Sequence, residues 1–575
     1  MPEKPVEKEP SAQDPSAQDP SAPDIQGGSG SLMRPFKEQF TLRGVLTGLL
    51  GCVIITASSV YIALKLGALP WPIFFVVLLA LFVLKLVSRG RNSRAANINE
   101  VNVSASIMSA GAMVAGGLAF TIPGIYILLG DVEVPLLTVF LCAICGVLIG
   151  AIGTSLFRRH FIVESKLPYP VGLGAAETLK AGDEGGRKAA LLFGSLGFAG
   201  IFAFLRDGLK LLPNMLLDKV NIPGVSFGIS FSPMALAMGF MIGPLAALVW
   251  FVGGLIGNFG IMTGGTALGL WDLDTGAGIR MSLGIGLMIG CGAGIIIKEV
   301  FPRAKSLLKP LVSRQSGSAI VPMRWAPFTL AALVLVLAFV CGLGLVPTLL
   351  LVVLVWLVVA MAAQCTGQAG LNPMEVFGVI VLLIIALITA TGGIEAFLVA
   401  ATATVACGFV GDLMNDFKVG QLLDTDPKAQ WLGVTLGGLL GAFIGAGIIA
   451  LFVSAYGTDS FGIDKEFVAA QATAVASMVG GIPNLWAFGI GAVVGTALYL
   501  LKAPAITLGL GVYLPFFLSL TIAIGAAVRF VIGLVAPNWV KKEDGLVIAS
   551  GLLGGESIVG VIFALVVVAT GFAAL

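Results

Sequence analysis

Residues 44–66 read GVLTGLLGCVIITASSVYIALKL, and residues 71–87 read WPIFFVVLLALFVLKLV. Both stretches are continuous apolar runs, and a helix needs about 20 such residues to cross the hydrocarbon core of a bilayer. Their short connection predicts a helical hairpin that crosses the membrane twice. Comparable runs recur to the end of the chain. The sequence therefore predicts an all-α polytopic membrane protein with about 12–16 transmembrane helices.

Composition supports this fold and narrows the function. Of 575 residues 57% are apolar and 11% are charged, against about 25% charged in an ordinary soluble domain. The net charge is +2 and no basic stripe carries interleaved aromatic residues, so no nucleic-acid partner is expected. The single histidine, His160, argues against a multi-histidine metal site, and the seven cysteines lie in or beside apolar runs. We expect no metal site, no cofactor and no disulfide framework.

The N-terminal segment differs in composition from the rest. Residues 1–31 contain the repeat SAQDP–SAQDP–SAPD followed by glycine and serine. Such a segment has too little apolar surface to fold, and it lacks the apolar core of a signal peptide. We expect a disordered cytoplasmic tail at 1–31 and one transmembrane domain over 32–575.

Basic residues predict the orientation of the first helices. Arg34, Lys37 and Arg43 precede the first hairpin, and Lys85 and Arg89 stand at its other end. The positive-inside rule places both clusters in the cytoplasm, which predicts a multi-pass protein of the inner membrane with a cytoplasmic N-terminus. A further basic loop covers 298–324. The sequence leaves open on which side of the membrane the C-terminus lies. Lys541 and Lys542 indicate a cytoplasmic loop, whereas an even number of preceding helices would place that loop outside.

Two parts of the chain resemble each other. The pattern N-x-x-E-V, then an acidic residue followed by K-x-G, then K-A, occurs first at 97–189 and again at 372–429. It predicts two related halves, about 40–310 and 325–575, with a substrate path between them. Chance similarity in a Gly/Ala-rich chain is the alternative. The proline- and glycine-containing segments 168–174, 480–486 and 502–515 predict broken or re-entrant helices, where transporters place their sites.

A charge deep in an apolar run is a functional candidate, because burying it at the bilayer centre costs about 2.5–3.5 kcal/mol or more. Glu556 lies well inside the last run, and Arg529 interrupts the run before it. Glu556 is the first candidate for binding a coupling proton, with Arg529 as its charge partner. A purely structural ion pair is the alternative.

Other polar residues sit where helices begin or break. Glu100 and Glu375 start two of the predicted helices, where a carboxylate either caps the first turn or faces a cavity. Glu375 is the second candidate for the proton. The predicted substrate-binding residues are Glu100, Asn102, Gln368, Asn372, Glu375, Asn484 and Trp486. Structural or partner charges are predicted at Glu177, Lys180, Asp412, Asp416 and Lys418, the last three on a solvated cytoplasmic face.

Five segments in order resemble the oligopeptide transporter family in its prokaryotic branch. They are NINEVNVSASIMS (97–109), FTIPG (120–124), GQAGLNPME (367–375), GDLMNDFKVG (411–420) and GLLGGE (551–556). The resemblance covers residues from about 40 to 575. It implies about sixteen helices in two related halves and proton-coupled symport of short peptides, peptide-like solutes or metal–chelator complexes. A homodimer would be compatible with it.

Several alternatives stay open from the sequence alone. Another secondary transporter, for amino acids or nucleobases, is the nearest one, and a channel would use similar broken helices. An ATP-driven pump is disfavoured because no G-x-x-x-x-G-K-[ST] sequence is present. A membrane enzyme is disfavoured because no H-E-x-x-H or G-x-G-D motif occurs. The expected mechanism is alternating access, with substrate near Glu100, Glu375 and segment 480–486.

Overall fold

The structure is a computed structural model of the chain. It describes residues 35–67, 69, 73–88, 96–165, 167, 169–181, 185–217, 219–220, 222–295, 297–298, 302, 320, 325–369, 372–536 and 544–570. The predicted tail at 1–31, most of the basic loop 298–324 and the lysines at 541 and 542 lie outside these residues. The predicted boundary between two halves stays a prediction.

Helices account for nearly all of the described secondary structure. The N-terminal ones are α1 (Phe36–Gln39), α2 (Leu42–Leu66), α3 (Ile73–Val87), α4 (Ile98–Ala119), α5 (Pro123–Leu129), α6 (Leu136–Arg158), α7 (Pro170–Ala181), α8 (Gly185–Ala203), α9 (Pro233–Ile242), α10 (Pro244–Gly254), α11 (Gly265–Ala267) and α12 (Leu273–Ile295). Two short strands, β1 (Met215–Leu216) and β2 (Ile229–Ser230), pair antiparallel in the connection before α9.

The remaining helices follow without a described strand. They are α13 (Ala326–Leu335), α14 (Leu345–Ala369), α15 (Met374–Thr389), α16 (Gly393–Leu423), α17 (Pro427–Tyr456), α18 (Ala470–Gly480), α19 (Leu485–Leu500), α20 (Ala505–Tyr513), α21 (Phe516–Val535) and α22 (Asp544–Thr570), with a 3-10 turn at Thr458–Ser460. In the described part of the chain, four helices continue directly into wider π-helical segments: Arg159–Glu164 after α6, Phe204–Gly208 after α8, Leu255–Gly264 after α10 and Val336–Val340 after α13.

The predicted fold class is confirmed. Within the described ranges, eleven helices are long and apolar enough to cross a membrane, and five shorter apolar helices accompany them. The two long helices α16 and α4 lie at the centre, because the membrane-length stretches that contain them are about four-fifths buried by other helices. The protein is therefore a multi-pass, all-α membrane protein.

The chain breaks where proline and glycine interrupt apolar runs. Pro504 and Pro515 flank the nine-residue helix α20, so segment 502–515 is a short helix between two longer ones. Gly481, with φ of 105°, separates α18 from α19 in a conformation that a residue with a Cβ rarely adopts. These interruptions match the segments predicted at 480–486 and 502–515, because neither residue type continues a helix.

Small residues spaced four apart bring helix backbones together. α12 packs along α19, where a Cβ added at Gly495 would lie 2.2 Å from the carbonyl oxygen of Leu287. On the partner helix, a Cβ at Gly290 would lie 2.1 Å from the carbonyl oxygen of Ala492. The glycines are therefore the closest points of approach, as small-xxx-small spacing predicts for helices in lipid.

We predict that Gly495→Ala lowers the midpoint of thermal unfolding of the purified protein in detergent, because the methyl group forces α12 and α19 apart. Overpacking of this kind costs about 1–3 kcal/mol. The matched control is Gly489→Ala on the same helix, where an added Cβ meets no atom within 4 Å. Equal midpoints for the two variants would contradict the packing described.

Candidate substrate site

A polar cavity of about 450 Å³ lies among α2, α9, α21, α22 and the connections before α9 and α18. Its size falls in the range of about 300–1,000 Å³ that is typical of small-molecule sites. Seven ionisable residues of opposite signs line it: Lys65, Arg206, Lys465, Asp207, Asp464, Glu466 and Glu556. In an otherwise apolar bundle, this is the described region best suited to a charged solute.

Arg206 is the central cation of the cavity. It lies in the π-helical segment that follows α8, a local widening that is frequent at functional sites. Its Nε and Nη2 atoms donate to the two carboxylate oxygens of Asp207, each at 2.7 Å, and its Nη1 donates to the carbonyl oxygen of Phe231 at 2.9 Å. Its Nη2 also lies 2.9 Å from Oε1 of Glu556. The guanidinium is thus held between two carboxylates.

Glu556 projects from the middle of α22 and meets the N-terminus of α9. The side chain of Ser232 caps α9 by accepting from the amide of Ala235 at 3.1 Å, and Pro233 follows at the first helical position. The Ser232 hydroxyl donates to the Glu556 carboxylate and lies 2.8 and 2.9 Å from its two oxygens. The amide of Met234 also donates to Oε2 of Glu556, at 2.9 Å. A carboxylate is favoured there because free N–H groups and the helix dipole point at it.

Lys65 and Glu466 form an ion pair at the rim of the cavity. Lys65 lies in the last turn of α2, and its ammonium group lies over the ring of Phe467, 5.2 Å from the ring centroid. The Lys65 ammonium holds the pKa of Glu466 below its ordinary value. Because the folded-state pKa is lowered, the contribution of this pair is present above the ordinary carboxyl pKa and is lost only as the pH falls through the lowered value.

Glu100 does not line this cavity and serves a structural role. Its carboxylate accepts from Arg43 Nε at 2.7 Å and from Arg43 Nη2 at 2.8 Å, and it also accepts from the Thr41 hydroxyl. The amide of Glu100 donates to the side chain of Asn97, which caps α4. Arg43 at the start of α2 therefore occupies the carboxylate of Glu100, and the predicted contact of Glu100 with substrate stays a prediction.

Other predicted substrate residues also lie elsewhere. Asn372 donates to the carbonyl oxygens of Cys407 and Gly408 at 3.0 and 3.3 Å, which joins the start of α15 to α16. Asn484 caps α19 by accepting from the amide of Ala487 at 2.9 Å. Trp486, in the first turn of α19, is 86% exposed and does not line the cavity. The two asparagine side chains therefore hydrogen-bond to backbone groups near helix starts, and Trp486 also lies at a helix start. The three residues do not line one cavity in the described structure.

Glu375 and Arg529 have surroundings that differ from the predicted ones. Glu375 is half-buried in the first turn of α15, outside the cavity lining. Arg529 donates to the carbonyl oxygens of Phe240 and Met241 at 2.9 and 3.1 Å, where α9 ends. Arg206, rather than Arg529, is thus the arginine that pairs with Glu556. The side chains of Gln368, Glu177 and Lys180 lie outside the described residues.

The cluster on α16 is buried instead of facing solvent. Asp412 is only 3% exposed, and it lines a second, smaller cavity with Asp416 and Asn102. The Nδ2 of Asn102 donates to the hydroxyl of Thr425 at 3.1 Å. Lys418 is partly exposed and donates to Gln421 at 3.0 Å. The prediction of a solvated face holds for Lys418 only, because helices α3, α4 and α7 cover the two aspartates.

Sequence reasoning missed Arg206, Asp207, Lys65 and Glu466. The first two end an apolar run that is long enough to cross a membrane, Gly186–Gly208, and Lys65 lies inside the first run. The criterion that selected Glu556, an ionisable residue within an apolar run, also fits these three. Glu466 carries no such signal, because it lies in the polar connection between α17 and α18 and meets Lys65 only through contacts between distant segments.

We predict that Arg206→Gln destabilises the protein by about 3–5 kcal/mol, because it leaves the buried Glu556 carboxylate without its cation. Glu556→Gln should destabilise it less, because Arg206 keeps its two hydrogen bonds to Asp207. The double variant should lose less than the sum of the two single losses, since it removes both charges. Thermal unfolding in detergent measures this coupling. As a matched control, Arg529→Gln combined with Glu556→Gln should be additive, and equal coupling in both pairs would contradict the assignment.

Comparison with known proteins agrees with this architecture. The family model described as OPT oligopeptide transporter protein matches residues 39–275 and 303–567. A protein of Haemophilus influenzae named "Putative oligopeptide transporter" is 26% identical over 525 residues, which cover 75% of this chain and 81% of that protein. The matched segments contain α2 to α11 and α13 to α22 almost completely, so the chain belongs to the OPT oligopeptide transporter family.

Proposed function

We propose that this transporter carries short peptides, or peptide-like solutes such as metal–chelator complexes, together with protons by alternating access. The cavity around Arg206 and Glu556 is the proposed substrate site. The observation that carries this proposal is the presence of both signs of charge on the cavity wall, with Lys65, Arg206 and Lys465 facing four carboxylates.

A short peptide suits such a wall because it has an ammonium group at one end and a carboxylate at the other at neutral pH. An arginine binds a carboxylate through two parallel hydrogen bonds. Carboxylates such as Glu466 and Asp464 would receive the ammonium group. The apolar side chains of Met234 and Phe517 line the same cavity and would contact the peptide between its charged ends.

The Arg206–Glu556 contact suggests how protons and substrate are coupled. Protonation of Glu556 removes the charge that holds it to Arg206, and the guanidinium then becomes available to a substrate carboxylate. Conversely, a substrate carboxylate that takes over Arg206 leaves Glu556 in need of a proton, because an unpaired buried carboxylate is costly. Each ligand therefore favours the other, as reciprocity of linked binding requires. Glu375 remains the second proposed proton carrier.

The proposed setting is a bacterial inner membrane with the N-terminus in the cytoplasm. Arg43 and Lys65 lie at opposite ends of α2, so the cavity beside Lys65 would then face the outside. Alternation between two related halves, which the internal sequence pattern suggests, would open the site to the other side. Assembly as a homodimer is compatible with this scheme.

We predict saturable accumulation of a radiolabelled tripeptide mixture in proteoliposomes that have an inward proton gradient, and its collapse on addition of a protonophore. Glu556→Gln should abolish gradient-driven accumulation while peptide exchange across the membrane continues, because the glutamine mimics the protonated residue. Glu395→Gln, at the exposed start of α16, is the matched control and should keep both activities.

Unsaturable flux that never exceeds equilibrium would favour a channel over a transporter. Full gradient-driven accumulation by Glu556→Gln would refute the proposed role of this carboxylate. Absence of uptake for every tripeptide, together with uptake of metal–chelator complexes, would identify the complexes as the substrate class and would leave the proposed site unchanged.

A further inference from the structure

A second polar cavity lies away from the one described above. It is enclosed by α3, α4, α7 and α16 and has a volume of about 20 Å³. A cavity must offer about 10–15 Å³ to hold one water molecule, so this one has room for a single particle of that size. Its polar lining consists of Asn102, Ser109, Asp412 and Asp416, and its remaining lining residues are apolar.

The two carboxylates of this cavity lie one helical turn apart on α16. Oδ2 of Asp412 is buried and accepts no hydrogen bond, and the residue is 3% exposed. Oδ2 of Asp416 accepts a hydrogen bond from the Ser109 hydroxyl at 3.3 Å. Among the side chains that the structure describes, neither carboxylate forms an ion pair. Lys418, the nearest cation along the helix, donates to Gln421.

This arrangement is unfavourable as it stands. A carboxylate within the membrane costs several kcal/mol unless a partner compensates its charge, and two like charges on adjacent turns repel each other. The described walls supply no other titratable group, because α3 contributes Val76 and Val77, and α7 contributes Ala175 and Leu179. A positive charge in the cavity itself would satisfy both carboxylates.

We infer that this cavity is a binding site for one dehydrated monovalent cation of the size of sodium, held by Asp412, Asp416, Ser109 and Asn102. Hard cations prefer oxygen ligands, which all four residues offer. The nitrogen of Asn102 donates to Thr425, so the atom that Asn102 offers to a cation is its oxygen. Hydrated Mg²⁺ keeps several waters and needs more room than one water-sized particle occupies.

The site is separate from the proposed substrate cavity. Asn102 belongs to the beginning of α4, whose Glu100 contacts Arg43, whereas the larger cavity adjoins Lys65 at the other end of α2. Through Thr425, Asn102 is joined to Asn99 and to the connection between α16 and α17. A bound cation would therefore tie α4 to α16 near the end of the bundle opposite the substrate cavity.

The test uses the full-length protein in detergent, without peptide and without a proton gradient, so its outcome is independent of the proposed function. Thermal unfolding is measured in NaCl, LiCl, KCl and choline chloride at equal ionic strength and pH. A cation that binds only the folded state raises the unfolding midpoint progressively with its concentration. We expect this rise with sodium and no comparable rise with choline.

Asp412→Asn and Asp416→Asn should each lose the sodium response, and Glu395→Gln on the same helix should keep it. Saturable binding of ²²Na⁺ to the wild-type protein, with one ion per chain, is a second measurement that does not depend on the variants folding. Absence of saturable sodium binding would overturn the inference. A midpoint that responds to pH but not to sodium would overturn it as well, and would assign the pair to protons.

Discussion

The contact between Arg206 and Glu556 is the interaction on which the proposed mechanism of this transporter depends. The Glu556 side chain is 2% exposed, and the two charged groups lie 2.9 Å apart. Removing Arg206 would leave a buried carboxylate without its cation, and a buried charge that loses its partner is far more costly than the pair. If a substrate carboxylate takes the place of Glu556 at Arg206, Glu556 must therefore bind a proton. That requirement links proton and substrate through one arginine.

The bundle around this pair is built to bring backbones close together. Helices α12 and α19 meet at glycines, and α2 and α17 both pack against α4 and against each other. Close van der Waals packing stabilises the association of these helices, because lipid tails are as apolar as the helices and the hydrophobic effect does not drive them together. Buried charged residues are much fewer than buried apolar ones in the described part of the bundle. Arg206 and Glu556 line the larger cavity, and Asp412 and Asp416 line the smaller one.

The helical fold is predictable from the sequence because the backbone groups of each span must form their hydrogen bonds within that span. The length of an apolar run is therefore enough to predict a transmembrane helix. Family membership was equally accessible, since the segments at 97–109 and 411–420 lie within the matched regions. The site was only partly predictable. Its position in an apolar run identifies Glu556, but the sequence points to Arg529 as its partner because Arg529 is nearer along the chain, whereas the structure pairs Glu556 with Arg206.

Pairing across the bundle explains these errors. Arg206 and Glu556 are 350 positions apart, and they meet because the N-terminus of α9 and the π-helical end of α8 converge on α22. The sequence predicts that Glu100 faces substrate, whereas in the structure Arg43 at the start of α2 pairs with its carboxylate. Whether a carboxylate at a helix start is capped, paired or free depends on contacts between distant segments. No local pattern contains that information.

The most direct measurement is the protection of a cysteine placed at Ser226, which lines the larger cavity and donates to Asp464 at 2.9 Å. The seven native cysteines are all buried, so a membrane-impermeant maleimide should modify Ser226→Cys selectively. If the cavity binds substrate, trialanine with free ends should slow this modification at saturating concentration. Trialanine with acetylated and amidated ends should not. A modification rate that is the same with free-ended trialanine as with blocked trialanine or without peptide would contradict the assignment of this cavity as the peptide site.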